Sequence, residues 1–154
     1  MDTQEKTASF FRFEDLRIYL KAVEYSKWLI QTIGNRETDA QKSLIDSFCH
    51  SSYDISLNIA EGSSRNKSQF EHYLKIAKTA MRECVVYTEI AAGLGLFTDE
   101  QKEQSRELLM ELTRMVGALI ISLQRGQSRR DRDEMQPDSA SSAIDMIDTI
   151  ETDF

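Results

Sequence analysis

A chain of 154 residues fits one domain built around one core. With 29% of its residues charged and a net charge of −7, it reads as a solvated globular protein, and no run approaches the roughly 18 apolar residues of a membrane-spanning helix. Residues 1–9 are polar and lack the apolar stretch of a secretory signal, so a cytoplasmic protein is expected, with Cys49 and Cys84 as buried thiols rather than a disulfide.

The one proline is Pro137, so nothing before it forbids long helices. Helix one is expected over 14–33. Leu16, Tyr19, Leu20, Val23, Ile30 and Ile33 follow a helical spacing, Glu14 and Asp15 suit the positive end of the helix dipole, and Gly34 is a natural stop. Helix two, 39–61, follows the capping-box pair Thr38 and Gln41; Leu44, Phe48, Ser52, Ile55 and Ile59 share a face, and Gly62 ends it. Helix three, 69–92, follows Ser68 with Glu71, carries the stripe Phe70, Tyr73, Leu74, Ala77, Met81, Cys84 and Val85, and closes at Gly93 and Gly95. Helix four, 99–125, follows Thr98 with Gln101, carries Leu108, Leu109, Leu112, Val116, Leu119 and Leu123, and stops at Gly126. Short connections force antiparallel neighbours. The expected fold is therefore all-α: an antiparallel up-down-up-down four-helix bundle over 10–126, followed by a disordered or loosely docked acidic tail over 127–154.

The tail differs in composition from the bundle. From Arg129 onward the chain has three arginines and eight acidic residues, a net of −5, against −2 for everything before. Pro137 to Ser142 is small and polar, a poor core former. Ile144, Ile147, Ile150 and Phe154 nevertheless recur at helical spacing, which leaves two readings: a loose terminus, or a short amphipathic segment that docks.

Two blocks carry a family resemblance. The first is Phe13-Glu14-Asp15-Leu16, followed by Ala22. The second is Asn58-Ile59-Ala60-Glu61-Gly62-Ser63-Ser64-Arg65, then Ser68, Phe70, Tyr73-Leu74, Ile76-Ala77 and Glu83, with Gly93-Leu94-Gly95-Leu96 beyond. Together they resemble the bacterial 23S rRNA intervening-sequence protein family, also labelled a ribosomal protein family, over about residues 10 to 125. The accessory variability determinants of diversity-generating retroelements look like relatives with the same bundle. The resemblance implies a four-helix bundle that forms a homo-oligomer, a pentameric ring by analogy with those relatives, with RNA or a ribosome-associated protein as candidate partner. Those relatives are basic, whereas this chain has a pI near 4.9.

Two polar groups stand out. Asn58, Glu61, Gly62 and Arg65 are expected as a clasp on the turn after helix two, where Glu61 meets the negative dipole end and needs a compensating donor; an anion or partner site is the other reading. Lys75, Lys78 and Arg82 form a basic row on helix three, extended toward the turn by Arg65, Lys67 and His72. That row is the candidate phosphate contact, or else an ordinary solvated face. Tyr25, Trp28 and Tyr87 are candidates for base stacking or for core packing. Ile18, Trp28, Leu29, Ile76, Val86, Ile120 and Ile121 fall off the main stripes and suggest self-association. No catalytic signature is present: no Gly-rich phosphate loop, no His-Glu-x-x-His, and no Glu-x-x-His pair, since Ser47 and Gln69 precede His50 and His72 by three. No catalytic residue, cofactor, metal or membrane partner is expected. The functional expectation is a non-catalytic oligomeric bundle, either RNA- or ribosome-associated or a protein-interaction scaffold.

Overall fold

Asparagine and threonine side chains set the starts of three of the four long helices. In the computed structural model, which describes residues 10–34 and 38–135, a short 3-10 helix Arg12–Asp15 precedes α1 (Arg17–Ile33), α2 (Asp39–Ser63), α3 (Lys67–Gly93) and α4 (Asp99–Glu134). Thr38 Oγ1 accepts from the Gln41 amide at 3.2 Å, and Thr98 and Gln101 form a full reciprocal capping box. The start of α3 differs from expectation: Asn66, not Ser68, is the cap, with its Oδ1 accepting from the Gln69 amide at 2.9 Å. Asn66 is a strong capping residue, and Glu71 is drawn away to Lys75 and Gln124 instead of reaching back.

The four helices form the all-α, up-down-up-down bundle. Each long helix packs on its two neighbours in the ring order α1–α2–α3–α4, with no backbone contact across the diagonals. Among the described residues there is no strand. Phe48, Ile55, Leu74, Met81, Leu112 and Val116 fill the axis with almost no exposure. Burying each such side chain contributes roughly 1.5–3 kcal/mol.

Several boundaries and faces depart from the sequence reading. The first helix does not run unbroken from Glu14: residues 12–15 make a 3-10 turn, Leu16 is extended at φ −70°, ψ 122°, and α1 starts at Arg17. Its buried face is Ile18, Ala22, Tyr25, Ser26, Leu29 and Ile33, while Leu20 and Ile30 are exposed. A helix apolar on two sides offers two possible faces. The one carrying the small residues Ala22 and Ser26 lets its neighbours close in, and Ser26 donates to Ser52 of α2 at 3.1 Å. Ile18, Leu29 and Ile120, expected as surplus surface, therefore belong to the core.

Gly62 does not end α2. It is buried inside the last turn, where a Cβ would lie 2.6 Å from Tyr73 Cβ and 2.9 Å from Phe70 Cδ2. Glycine is required there so that α2 and α3 can cross closely just before their three-residue link, 64–66. Nor does α4 stop at Gly126. Only Gly34 and Gly95 take positive φ among the described residues, and α4 continues to Glu134 through good helix formers with no proline before Pro137. The expected tail docking residues Ile144, Ile147, Ile150 and Phe154 lie outside the described residues.

Candidate nucleic-acid interface

The uneven helix lengths create the site. Lys67 opens α3 and lies against Gly126 of α4, where an added Cβ would meet its Nζ at 2.9 Å. Gln127 to Glu134 therefore extends past the start of α3, by about 12 Å at the helical rise. The 3-10 helix packs against α1 and α2 at the same end. In the corner between these elements is a cavity of about 350 Å³.

Its floor is apolar, made by Phe13, Leu16, Ile18, Phe70, Leu119 and Leu123. Its rim is cationic: Arg12, Arg17, Arg65, Lys67 and Arg130 line it, and no described carboxylate does. Of these, Arg65 is already matched. Its Nε donates to Glu61 Oε1 at 3.1 Å and its Nη2 bonds the same oxygen, while its guanidinium sits 5.7 Å from the Tyr73 ring centroid. That pairing, chiefly the hydrogen bond to Glu61, raises its pKa. Arg17, Lys67 and Arg130 have no ion pair with any described carboxylate. Partial burial, and then the nearby Arg130 charge, push the Lys67 ammonium below its ordinary pKa. An anion lodged between Lys67 and Arg130 would offset the repulsion between them.

The expected clasp is assembled in part. Glu61 and Arg65 are joined across the turn and Gly62 sits beneath it, but Asn58 donates to the Asp54 carbonyl at 2.7 Å and stands apart. The expected phosphate row is split. Arg65 and Lys67 reach the cavity with Arg12, Arg17 and Arg130. Lys75 is held by Glu71 at 3.0 Å, and Lys78 and Arg82 continue away along α3, ending about 22 Å from Lys67 at the helical rise. Tyr25 is fully buried and stacks on Trp28, which meets Phe97, and Tyr87 stacks on Phe48; these rings are packing residues.

Sequence reading missed Arg12, Arg17 and Arg130, and it missed the rings beside them. Phe10 is 91% exposed, and Phe10, Phe11 and Phe13 make a chain of ring contacts, at 5.1 and 5.8 Å, that leads into the cavity. The run Phe10-Phe11-Arg12-Phe13 was the available signal, aromatic residues interleaved with a cation.

Among the described residues no group of three or more His, Cys, Asp or Glu could hold a metal ion. Burial pushes the Cys84 thiol far up, chiefly by desolvation, so it is a packing residue rather than a nucleophile. No described helix is long and apolar enough to cross a membrane.

No curated protein matches the chain. Residues 14–118 match the family described as the 23S rRNA-intervening sequence protein. That span runs from the 3-10 turn to the middle of α4 and takes in both blocks of motif apart from Phe13, and the chain belongs to the 23S rRNA-intervening sequence protein family.

Proposed function

We propose that the protein is a non-catalytic, homo-oligomeric accessory factor of the cytoplasm that holds RNA at the cationic end of its bundle. The observation that carries this reading is the cluster of Arg17, Lys67 and Arg130, none of them paired with a described carboxylate, in a chain whose net charge is −7. Cations gathered without carboxylates repel one another and favour a polyanion, and exposed Phe10 and Phe11 beside them offer stacking faces for unpaired bases. A ring of copies, pentameric as the resemblance implies, would repeat the cluster and add avidity.

Ultraviolet crosslinking to a structured rRNA fragment, followed by peptide mapping, tests the assignment. Crosslinks are expected in the peptides that hold Phe10 to Arg17 and Arg65 to Lys67. Crosslinks confined to Lys75 to Arg82, or none at all, would overturn it. A second reading, a protein-interaction scaffold, is favoured by exposed Val86 and Ile90 on the outside of α3 and exposed Leu94 at its C-cap, which recur every fourth residue. Light scattering after Val86→Asp and Ile90→Asp separates the two. Loss of the oligomer with RNA binding per subunit retained assigns that row to self-association.

A further inference from the structure

RNA phosphate accounts for the cationic rim of the cavity but not for its apolar floor. Phe13, Leu16 and Phe70, half-buried over the core residues Ile18, Leu119 and Leu123, would remain partly open to water beneath a bound phosphate chain. An occupant that satisfies both parts needs negative charge on one side and apolar anchors on the other.

The chain itself carries such a segment. Residues 136–154 contain five acidic residues, Asp138, Asp145, Asp148, Glu151 and Asp153, and no lysine or arginine. Ile144, Ile147, Ile150 and Phe154 recur at intervals of three, three and four, so in a helix they share one side and the acids border it. The tether is favourable. Arg130, on the rim, is only four residues from the end of α4 at Glu134. From Glu134 back to Leu123 on the floor is about 17 Å along the helix. The eight residues from Gln136 to Ala143 span up to about 26 Å when extended, enough to return Ile144 to the cavity. A tether of that length holds its segment at an effective concentration on the order of millimolar, so even weak docking is populated.

We infer that the segment 144–154 docks on this cavity, its isoleucines and Phe154 against the apolar floor and its carboxylates toward Arg17, Lys67 and Arg130. Docking covers the cations assigned above to RNA, so the tail acts as a built-in competitor; this second consequence rests on the RNA reading, whereas the docking itself does not.

The test uses the full-length chain and its Ile147→Ser/Ile150→Ser/Phe154→Ser variant, which leaves the bundle untouched. Methyl NMR signals of Leu16, Ile18, Leu119 and Leu123 are expected to differ between the two, with Leu57 on the outside of α2 unchanged. The same shifts are expected when Lys67→Gln and Arg130→Gln are introduced into the parent chain at other methyls of the floor, Leu119 and Leu123 above all. Identical floor signals in parent and tail variant would overturn the proposal, as would changes confined to the outer row of α3. A rise of several-fold in affinity for an rRNA fragment in the tail variant supports the competitor role. Floor shifts without any RNA binding in either protein would sink the RNA reading and leave docking standing.

Discussion

Ser105 is a small residue with a large role. Its Oγ lies 2.9 Å from the Tyr25 hydroxyl and 2.8 Å from Thr88 Oγ1, so three helices meet in one buried hydrogen-bonded group. Thr88 also donates to the Cys84 carbonyl at 2.7 Å. Removing the shared hydroxyl takes away the partner of the buried Tyr25 phenol, while Thr88 keeps its bond to the Cys84 carbonyl. Ser105→Ala is expected to cost about 1–3 kcal/mol in urea unfolding. A loss under about 0.5 kcal/mol would show that the hydroxyls find other partners. Burial, chiefly through desolvation, holds the Tyr25 phenol far above its ordinary pKa, so it stays neutral throughout the usual pH range. None of this was visible in the sequence, because the group joins residues 80 positions apart that individually look like ordinary polar punctuation. Gly62 shows a different failure of the same kind. A glycine near a helix end reads as a stop, and only the neighbouring chain reveals that its missing Cβ makes room for Tyr73 and Phe70. Gly62→Ala is expected to destabilise by about 1–3 kcal/mol through overpacking, with the turn clasp of Glu61 and Arg65 displaced.

At the scale of the element, α4 decides the shape of the site. Its apolar stripe, Leu109, Leu112, Val116, Leu119 and Leu123, was legible because each residue recurs on the helical period and faces the axis. Its end was not legible, since Gly126 is needed for no left-handed turn and the charged run after it is as good a helix as a tail. Gly126→Ala should raise helix stability by about 1 kcal/mol. It should also push the Lys67 ammonium, the nearest atom to the new methyl, off its seat at the cavity rim. Melting temperature is thus expected to rise while RNA affinity falls; a fall in both would mean that the methyl disturbs the helix contact itself.

The α3–α4 seam also predicts a pH response. Glu71 is held below the ordinary carboxylate range by the Gln124 amide and then by Lys75, and Glu89 by Lys102 and then Arg106. Because these folded-state values are depressed, their stabilisation is complete above the unfolded pKa of about 4.3 and disappears as pH falls through the lower folded values. Glu71→Gln with Glu89→Gln should flatten the stability profile below about pH 4 and leave its neutral-pH shape unchanged. Glu89 is exposed and Glu71 is half-buried, so the Glu89 share is small and screened by salt while the Glu71 share is screened less.

Across the whole molecule, charge is separated rather than diluted. The chain is acidic overall, yet the bundle end between Arg12 and Arg130 gathers five cations around one cavity, of which Arg65 is matched by Glu61 and Arg17, Lys67 and Arg130 have no described carboxylate partner. Sequence reading found the bundle because its signals are local: caps, glycines and a helical period. It found Arg65 and Lys67 for the same reason, since they sit beside a recognisable turn. It placed the phosphate contact along α3 because Lys75, Lys78 and Arg82 are near in sequence. Arg12, Arg17 and Arg130 come from opposite ends of the chain, and only the packing of the 3-10 turn and the length of α4 bring them together.

The most direct test of an RNA-binding bundle end is the salt dependence of affinity for a short rRNA hairpin, measured between low and physiological salt. The account predicts a steep linear fall of log K with log salt in the parent protein. In Arg17→Gln/Lys67→Gln/Arg130→Gln that slope should be shallower by about 2 to 3, since each lost phosphate contact removes about 0.7–0.9. Lys75→Gln/Lys78→Gln/Arg82→Gln should keep the parent slope. An unchanged slope in the bundle-end variant, or no binding by the parent at low salt, would contradict the account.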